Sequence, residues 1–380
     1  MKRFNKNINW IISISICLTC ALFVTSSCGQ ESSSQKKKGF IVSDPIPDNN
    51  DEIKILLYYD MEGISGLNDM RSLNYGNEGY TAARDLLTND VNAVIDGLFA
   101  GGADIVDVVD AHGSGNPEPD ILLDKMDSRV KLISRDKPFR SYCDLTEKKV
   151  YDAIAVVCMH SKTGGGGFAA HTYTIGMDWI FNDMSINETE IIAYSWGRAD
   201  IPLIFASGDD KLKEQLEYLP WIEYVTVKIA KGASDAELIP LDKVHNDMKL
   251  KAKIAVENIS KAKVVNFSTP IKTQLRAVHP SSLGLLNGVP GINYQDNIVT
   301  FIADDFQIAY DGVTALIGVA SRSWVNILHE SIRQENNSSK IYNNYSNKLI
   351  ARWGDVESGR WELPDNLQAG QSNRKYFGAR

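Results

Sequence analysis

Apolar positions arrive in two alternating rhythms from residue 53 onward. "IKILLYY" (53–59) is a short, nearly continuous apolar run, the signature of a strand buried on both faces. In "TAARDLLTNDVNAVIDGLFAGG", Leu87, Val91, Val94, Ile95 and Leu98 recur at helical spacing, and the stretch closes on glycine. "DIVDVVDA", "DAIAVVCM", "IPLIFAS" and "EYVTVKI" read as further strands, with "DDKLKEQLEYL" a short helix between the last two. Strands alternating with helices predict an α/β fold with a mostly parallel sheet flanked by helices.

After about residue 230 the rhythm changes. A long helix is expected over roughly 240–262, then strands in "PIKTQLRAV" and "NIVTFIAD". A second helix would carry Val313, Leu316, Ile317, Ala320, Trp324 and Leu328 on one face. This predicts a smaller α+β domain. The expected organisation is a leader over 1–28, a polar tether over 29–52, an α/β domain over 53–230, an α+β domain over 231–330 and a C-terminal extension over 331–380. "ENNSSKIYNNYSN" in the extension is Asn/Ser-rich and reads as irregular, while Trp353 and Trp361 predict that the tail packs onto something.

The first residues follow another logic. "MKRFNK" is basic, and "WIISISICLTCALFV" is apolar but shorter than the roughly 20 residues of a membrane span. "TSSCGQ" then resembles a lipobox, although Thr25 stands where leucine is usual. This predicts an exported lipoprotein anchored to a membrane at Cys28, lying in the cell envelope, lipid-anchored or periplasmic. Cys17, Cys20 and Cys28 belong to the leader, so only Cys143 and Cys158 remain: no disulfide framework, with Cys158 a small residue inside an apolar strand. A net charge of −8, without a Lys/Arg stripe, argues against nucleic acid as a partner.

Candidate chemistry follows from the sheet. Parallel sheets bind ligands at the carboxyl ends of their strands. Asp60 and Glu62 follow the first strand, His112 the second and His160 the third. If the strand ran on, Asp60 and Glu62 would share one face, and two neighbouring carboxylates call for a cation between them. Oxygen and imidazole ligands without thiolate suit Zn, Mn or Fe. Asp110 is placed either beside His112 in a supporting role or facing water. "TGGGG" (163–167) lacks the Lys-Ser/Thr ending of a phosphate loop and reads as a flexible loop; "GDD" (208–210) reads as a strand-to-helix turn with an Asp cap. His245, His279 and His329 read as structural.

These residues also carry a resemblance. "DMEGISG", "DAHG", "MHSKTGGGGFAAH" and "NETEIIAYSWGRADIPLIFASGDD", in that order over about 53–330, resemble the bacterial D-aminopeptidase family of dinuclear zinc peptidases. The resemblance implies two Zn²⁺ per subunit held by Asp60, Glu62, His112, His160 and Glu188, with Glu190 as the alternative to Glu188, and a catalytic His171. It implies that Asp60 bridges, with Glu62 and His160 on one metal and His112 and Glu188 on the other. It further implies hydrolysis of N-terminal D-amino acids from a short peptide substrate, and a homo-oligomer, a ring-shaped decamer. Two other readings fit parts of the pattern. A metallophosphoesterase-like hydrolase should show Asp-x-His and Gly-Asn-His, and this chain has Asp-x-Glu and no Gly-Asn-His. A non-catalytic envelope lipoprotein binding peptide or metal would share the leader but would not need an open dinuclear site.

Overall fold

The computed structural model describes residues 39–46, 52–133, 149–278 and 281–360. The leader with Cys28, and Cys143, His279 and Trp361, lie outside the described residues.

In chain order, the strands of the main sheet are β2 (Lys54–Tyr59), β3 (Ile105–Asp110), β4 (Lys131–Leu132), β5 (Ala153–Met159), β8 (Leu203–Asp209), β9 (Glu223–Gly232) and β10 (Asp235–Leu238). They stand in the order β10-β9-β8-β5-β2-β3-β4. All neighbours are parallel except the edge strand β10, which runs antiparallel to β9. Because the strand side chains alternate, β2 feeds two cores. Ile55, Leu57 and Tyr59 face α1 (Tyr80–Ala100) and α4 (Leu241–Glu257). Leu56 and Tyr58 face the other way, into a core with Trp196 of α2 (Glu188–Gly197) and with Trp179 and Phe181. Burial on both faces is why β2, β5 and β8 read as nearly unbroken apolar runs.

A second, antiparallel sheet takes β6 (Met177–Phe181), β7 (Met184–Ile186), β12 (Ile271–Ala277), β13 (Asn293–Gln295) and β14 (Ile298–Ala303), in the order β13-β14-β12-β6-β7. It draws strands from both sides of residue 230, while α4, after that point, packs beside α1 on the main sheet. Asp209 caps α3 (Asp210–Leu216), its side chain accepting from Leu212 N at 2.8 Å, as the "GDD" turn predicted.

Three expectations change. Phe40–Ser43, inside the stretch expected to be a polar tether, forms β1 and pairs antiparallel with β11 (Val264–Phe267); its apolar "FIVS" matches the strand "VVNF" opposite. The single helix expected over 313–328 is α5 (Phe306–Ala320), a 3-10 turn (Ser321–Trp324) and α6 (Val325–Gln334), so Leu328 leaves the buried face and stands exposed. The Asn/Ser-rich stretch is helical from Ser338, as α7 (Ser338–Glu357). Tyr342, Tyr345, Leu349, Trp353 and Val356 recur at helical spacing from inside it, and that period outweighs the polar composition. His329 of α6 stacks on Tyr342 of α7, its Nδ1 3.0 Å from the hydroxyl, whereas Trp353 remains exposed. No helix among the described residues is long and apolar enough to cross a membrane.

Candidate metal centre

The strand order β3-β2-β5 places the end of β2 between the ends of its two neighbours. The segments that follow bring His112, Asp60 and His160 to one edge. β2 itself stops at Tyr59, so Asp60 and Glu62 sit on a turn rather than on a continued strand. The turn is tied down tightly. Asp60 N donates to Val157 O at 3.1 Å and Gly63 N to Cys158 O at 2.8 Å. A Cβ on Gly63 would lie 2.1 Å from Met159 O, so only glycine permits this approach.

Both acids still converge. His112 Nδ1 is 3.0 Å from Asp60 Oδ1 and 3.3 Å from Glu62 Oε2. His160 Nε2 is 3.5 Å from Asp60 Oδ2 and 3.3 Å from Glu188 Oε2. The two oxygens of Asp60 therefore face different imidazoles, each joined by a further acid. Ligand atoms of Asp60, Glu62 and His112 lie within 4.8 Å of one another, as do those of Asp60, His160 and Glu188. A third group, Glu62, His160 and His171, meets the same limit. The resemblance implied the other division, Glu62 with His160 and Glu188 with His112. Here Glu188 arrives on the β5 side from the first residue of α2, and Glu62 folds back over the β3 side.

Glu188 and Glu190 separate cleanly. Asn187 caps α2 and shares a reciprocal capping box with Glu190: Glu190 N donates to Asn187 Oδ1 at 2.8 Å, and Asn187 N to Glu190 Oε2 at 2.9 Å. Glu190 also accepts from the Tyr218 hydroxyl at 2.5 Å. Glu188 is turned to the cluster and accepts from Tyr173 N at 2.6 Å through its other oxygen.

The backbone sets the imidazole tautomers. A carbonyl can only accept, so the ring nitrogen facing it carries the proton. His112 Nε2 meets Leu73 O, His160 Nδ1 meets Ser161 O and His171 Nδ1 meets Ala169 O, each at 2.9 Å. In the neutral ring the remaining nitrogen of each then presents a lone pair to the acids, the arrangement a metal ligand needs. His171 stacks on His160 with ring centroids 4.2 Å apart, and its Nε2 is 3.6 Å from Glu188 and 4.0 Å from Glu62. Its side chain is 17% exposed, against 0–9% for the other five residues, so it alone leans into open space.

The fit to divalent ions rests on what the protein leaves unpaired. Asp60 Oδ2, Glu62 Oε2, His160 Nε2 and Glu188 Oε2 are buried without a hydrogen-bond partner. Four such atoms in one small volume would be strongly destabilising unless cations meet them. Burial alone would raise the Asp60 carboxyl; the hydrogen bond with His112 and the nearby His160 imidazole outweigh it and hold the group well below the usual range. Burial opposes charging of His112, but the Glu62 carboxylate and the Asp60 hydrogen bond push its imidazole well above the usual value. His160 is raised in the same way by Glu188 and Asp60.

Supporting groups came from places the sequence reading passed over. Lys228 is fully buried and donates to Glu62 O at 3.0 Å and Leu67 O at 2.7 Å, with its ammonium 4.4 Å from the centre of the Phe168 ring. Burial lowers its pKa to about 8. A lysine within the apolar strand "EYVTVKI" was the available signal. Asp90 accepts from Ser65 N at 2.7 Å and Oγ at 2.5 Å, and lies 2.8 Å from His245 Nε2. Asp110 supports the main chain rather than the ring: its Oδ1 accepts from His112 N at 2.9 Å. Only the end of the "TGGGG" loop is tightly packed: a Cβ on Gly167 would stand 2.2 Å from Ser161 Oγ and 2.3 Å from Asp209 Oδ2, while Gly164 and Gly166 are exposed with no neighbour within 4 Å of that position. Cys158 is buried, as expected.

In front of the cluster lies a cavity of about 490 Å³, with Asp60, Glu62, His112 and His171 in its wall. Among the described residues lining it there is no lysine or arginine.

Comparisons with known proteins bear on the family and the fold. The sequence profile described as D-aminopeptidase matches residues 53–315. A D-aminopeptidase of Bacillus subtilis (strain 168) is 26% identical over 279 residues, covering 71% of this chain and 99% of the relative. The solved structure of a Zn-dependent D-aminopeptidase from Bacillus subtilis, described as a self-compartmentalizing protease, is similar with a TM-score of 0.65 at 25% identity, covering 71% of this chain and 98% of that one. Fold, ordered motifs and the clustered acids and imidazoles lead to one assignment: this chain belongs to the D-aminopeptidase family of peptidases.

Proposed function

We propose that this protein is a zinc-dependent aminopeptidase that removes N-terminal D-amino acids from short peptides. The observation that carries the proposal is the Asp60 carboxylate, whose two oxygens face two imidazoles, each accompanied by a second acid. In this reading Asp60 with Glu62 and His112 would hold one zinc ion per subunit, and Asp60 with His160 and Glu188 a second. Zinc supplies Lewis acidity to the scissile carbonyl and lowers the pKa of water.

The chain's own groups do the rest. Asp60, Glu62 and Glu188 would offset the charge of the ions, which would anchor the substrate's α-amino group as a neutral amine. His171 Nε2, held toward the cavity by the Ala169 carbonyl, takes up a proton as water adds to the amide carbon and passes it to the departing amine as the C–N bond breaks. The test is metal content beside turnover of D-Ala-p-nitroanilide and its L-isomer. Zinc near two per subunit with release from the D-substrate is expected; bound zinc without cleavage of any peptide would leave a binding protein.

The leader supports export and attachment to a membrane at Cys28, which we propose for the mature chain; loss of lipid labelling in Cys28→Ser tests it. The self-compartmentalizing relative supports a homo-oligomer here; its form as a ring-shaped decamer is what the motif resemblance implies, and light scattering of the purified chain would test it.

A further inference from the structure

The cavity before the metal centre has a mixed lining. The acids and imidazoles make one part of it. The rest is largely apolar, with Asn74, Thr174 and Ser321 among it: Met70 and Leu73 from the 3-10 turn at Met70–Leu73, Ile175 from the loop after His171, Ile317 from α5 and Trp324 from the turn that ends α5. Two of these side chains are poorly covered, Met70 at 39% and Ile175 at 70% exposure. Large apolar groups open to water at the mouth of a cavity mark a surface that a ligand covers. A cavity of this size holds a small peptide rather than a single side chain.

The origin of that apolar lining matters. The family profile ends at residue 315, and Ile317, Ser321 and Trp324 line the cavity from beyond it. It is therefore built partly by the segment leading into α6, outside the matched region.

We propose that Trp324 and Ile317, with Met70 and Ile175, form a specificity wall for a bulky apolar side chain on a residue flanking the scissile bond. The preferred substrates are then peptides carrying D-leucine or D-phenylalanine at that residue rather than D-alanine. The inference rests on the aminopeptidase reading for its reaction but not for its recognition. An apolar pocket discriminates by about tenfold or more per added methylene. Trp324 is the largest group in the wall and comes from a turn fixed between two helices.

The test uses the zinc-loaded full chain and D-dipeptides with alanine, leucine or phenylalanine at each of the two positions, compared as ratios of kcat/KM. A ratio of leucine or phenylalanine to alanine above about tenfold at one position is expected. In Trp324→Ala that ratio should fall toward one, mainly through KM. Ile175→Ala provides a second variant whose side chain is exposed, and it should lower the same ratio. A preference for alanine, or variants that change all substrates alike, overturns the proposal. Calorimetric binding of the same dipeptides separates the two claims. If nothing is hydrolysed, the aminopeptidase reading fails, while tighter binding of the bulky peptides that both variants erase still supports the wall. Equal binding of all peptides overturns it.

Discussion

His171 is the residue on which role and position can be separated. It lies near Glu62 and Glu188 as a ligand would, yet leans into the cavity as a proton carrier would. His171→Ala should lower kcat by about 10²-fold or more while the zinc content stays that of the parent protein. Loss of zinc in parallel would make it a ligand instead. His245 offers a stability test away from the centre. The hydrogen bond to Asp90 raises its imidazole, against partial burial, and the Asp90 and Asp242 charges act in the same direction. A raised folded-state value means the contribution is complete below the unfolded value near 6.5 and fades as pH rises through the folded value. His245→Gln should therefore lower the Tm most in mildly acidic buffer, and the deficit should shrink in alkaline buffer. Much at this scale was legible: the residues standing after strands 2, 3 and 5 are the ones that meet. Lys228 and Asp90 were not, because their partners are backbone carbonyls or residues distant in sequence.

Two short elements hold the centre in shape, the turn after β2 and the first turn of α2. Gly63→Ala would press a methyl group on Met159 O and displace Glu62; a loss of about 3 kcal/mol in denaturant unfolding is expected, together with weaker zinc binding. Asn187→Ala removes the side-chain half of the capping box, at a cost of about 1 kcal/mol in denaturant unfolding, while the Glu190 carboxylate keeps Asn187 N and the Tyr218 hydroxyl and zinc content should stay that of the parent protein. The capping box was visible in "NETE" once a helix start was assumed there, and it separates the two glutamates that spacing alone left open. The end of the α5 helix was not legible, because apolar spacing continues through Leu328 while the backbone tightens at Ser321–Trp324. The Asn-rich start of α7 was hidden for the opposite reason, composition masking period.

Across the whole molecule, the unpaired atoms of Asp60, Glu62, His160 and Glu188 make stability depend on cations. Chelation should lower the Tm, and zinc at about 100 times its dissociation constant should restore about 2.7 kcal/mol. The raised imidazoles of His112 and His160 add a pH dependence. Ligand histidines must be neutral, so zinc displaces their protons, and the zinc-induced rise in Tm should shrink as pH falls from about 8 toward 5. Apolar rhythm by itself determined that β2, β5 and β8 are buried strands of an α/β sheet, since burial on two faces requires unbroken apolar runs, and it also marked β3 and β9 as strands. The motif order determined the family. Three matters were decided only by tertiary structure: that the second sheet takes strands from both sides of residue 230, that Glu62 Oε2 stands 3.3 Å from His112 and Glu188 Oε2 3.3 Å from His160, and that Trp324 lines the cavity. Each depends on contacts between residues far apart in the chain, and local pattern carries no record of which distant surface a side chain will meet.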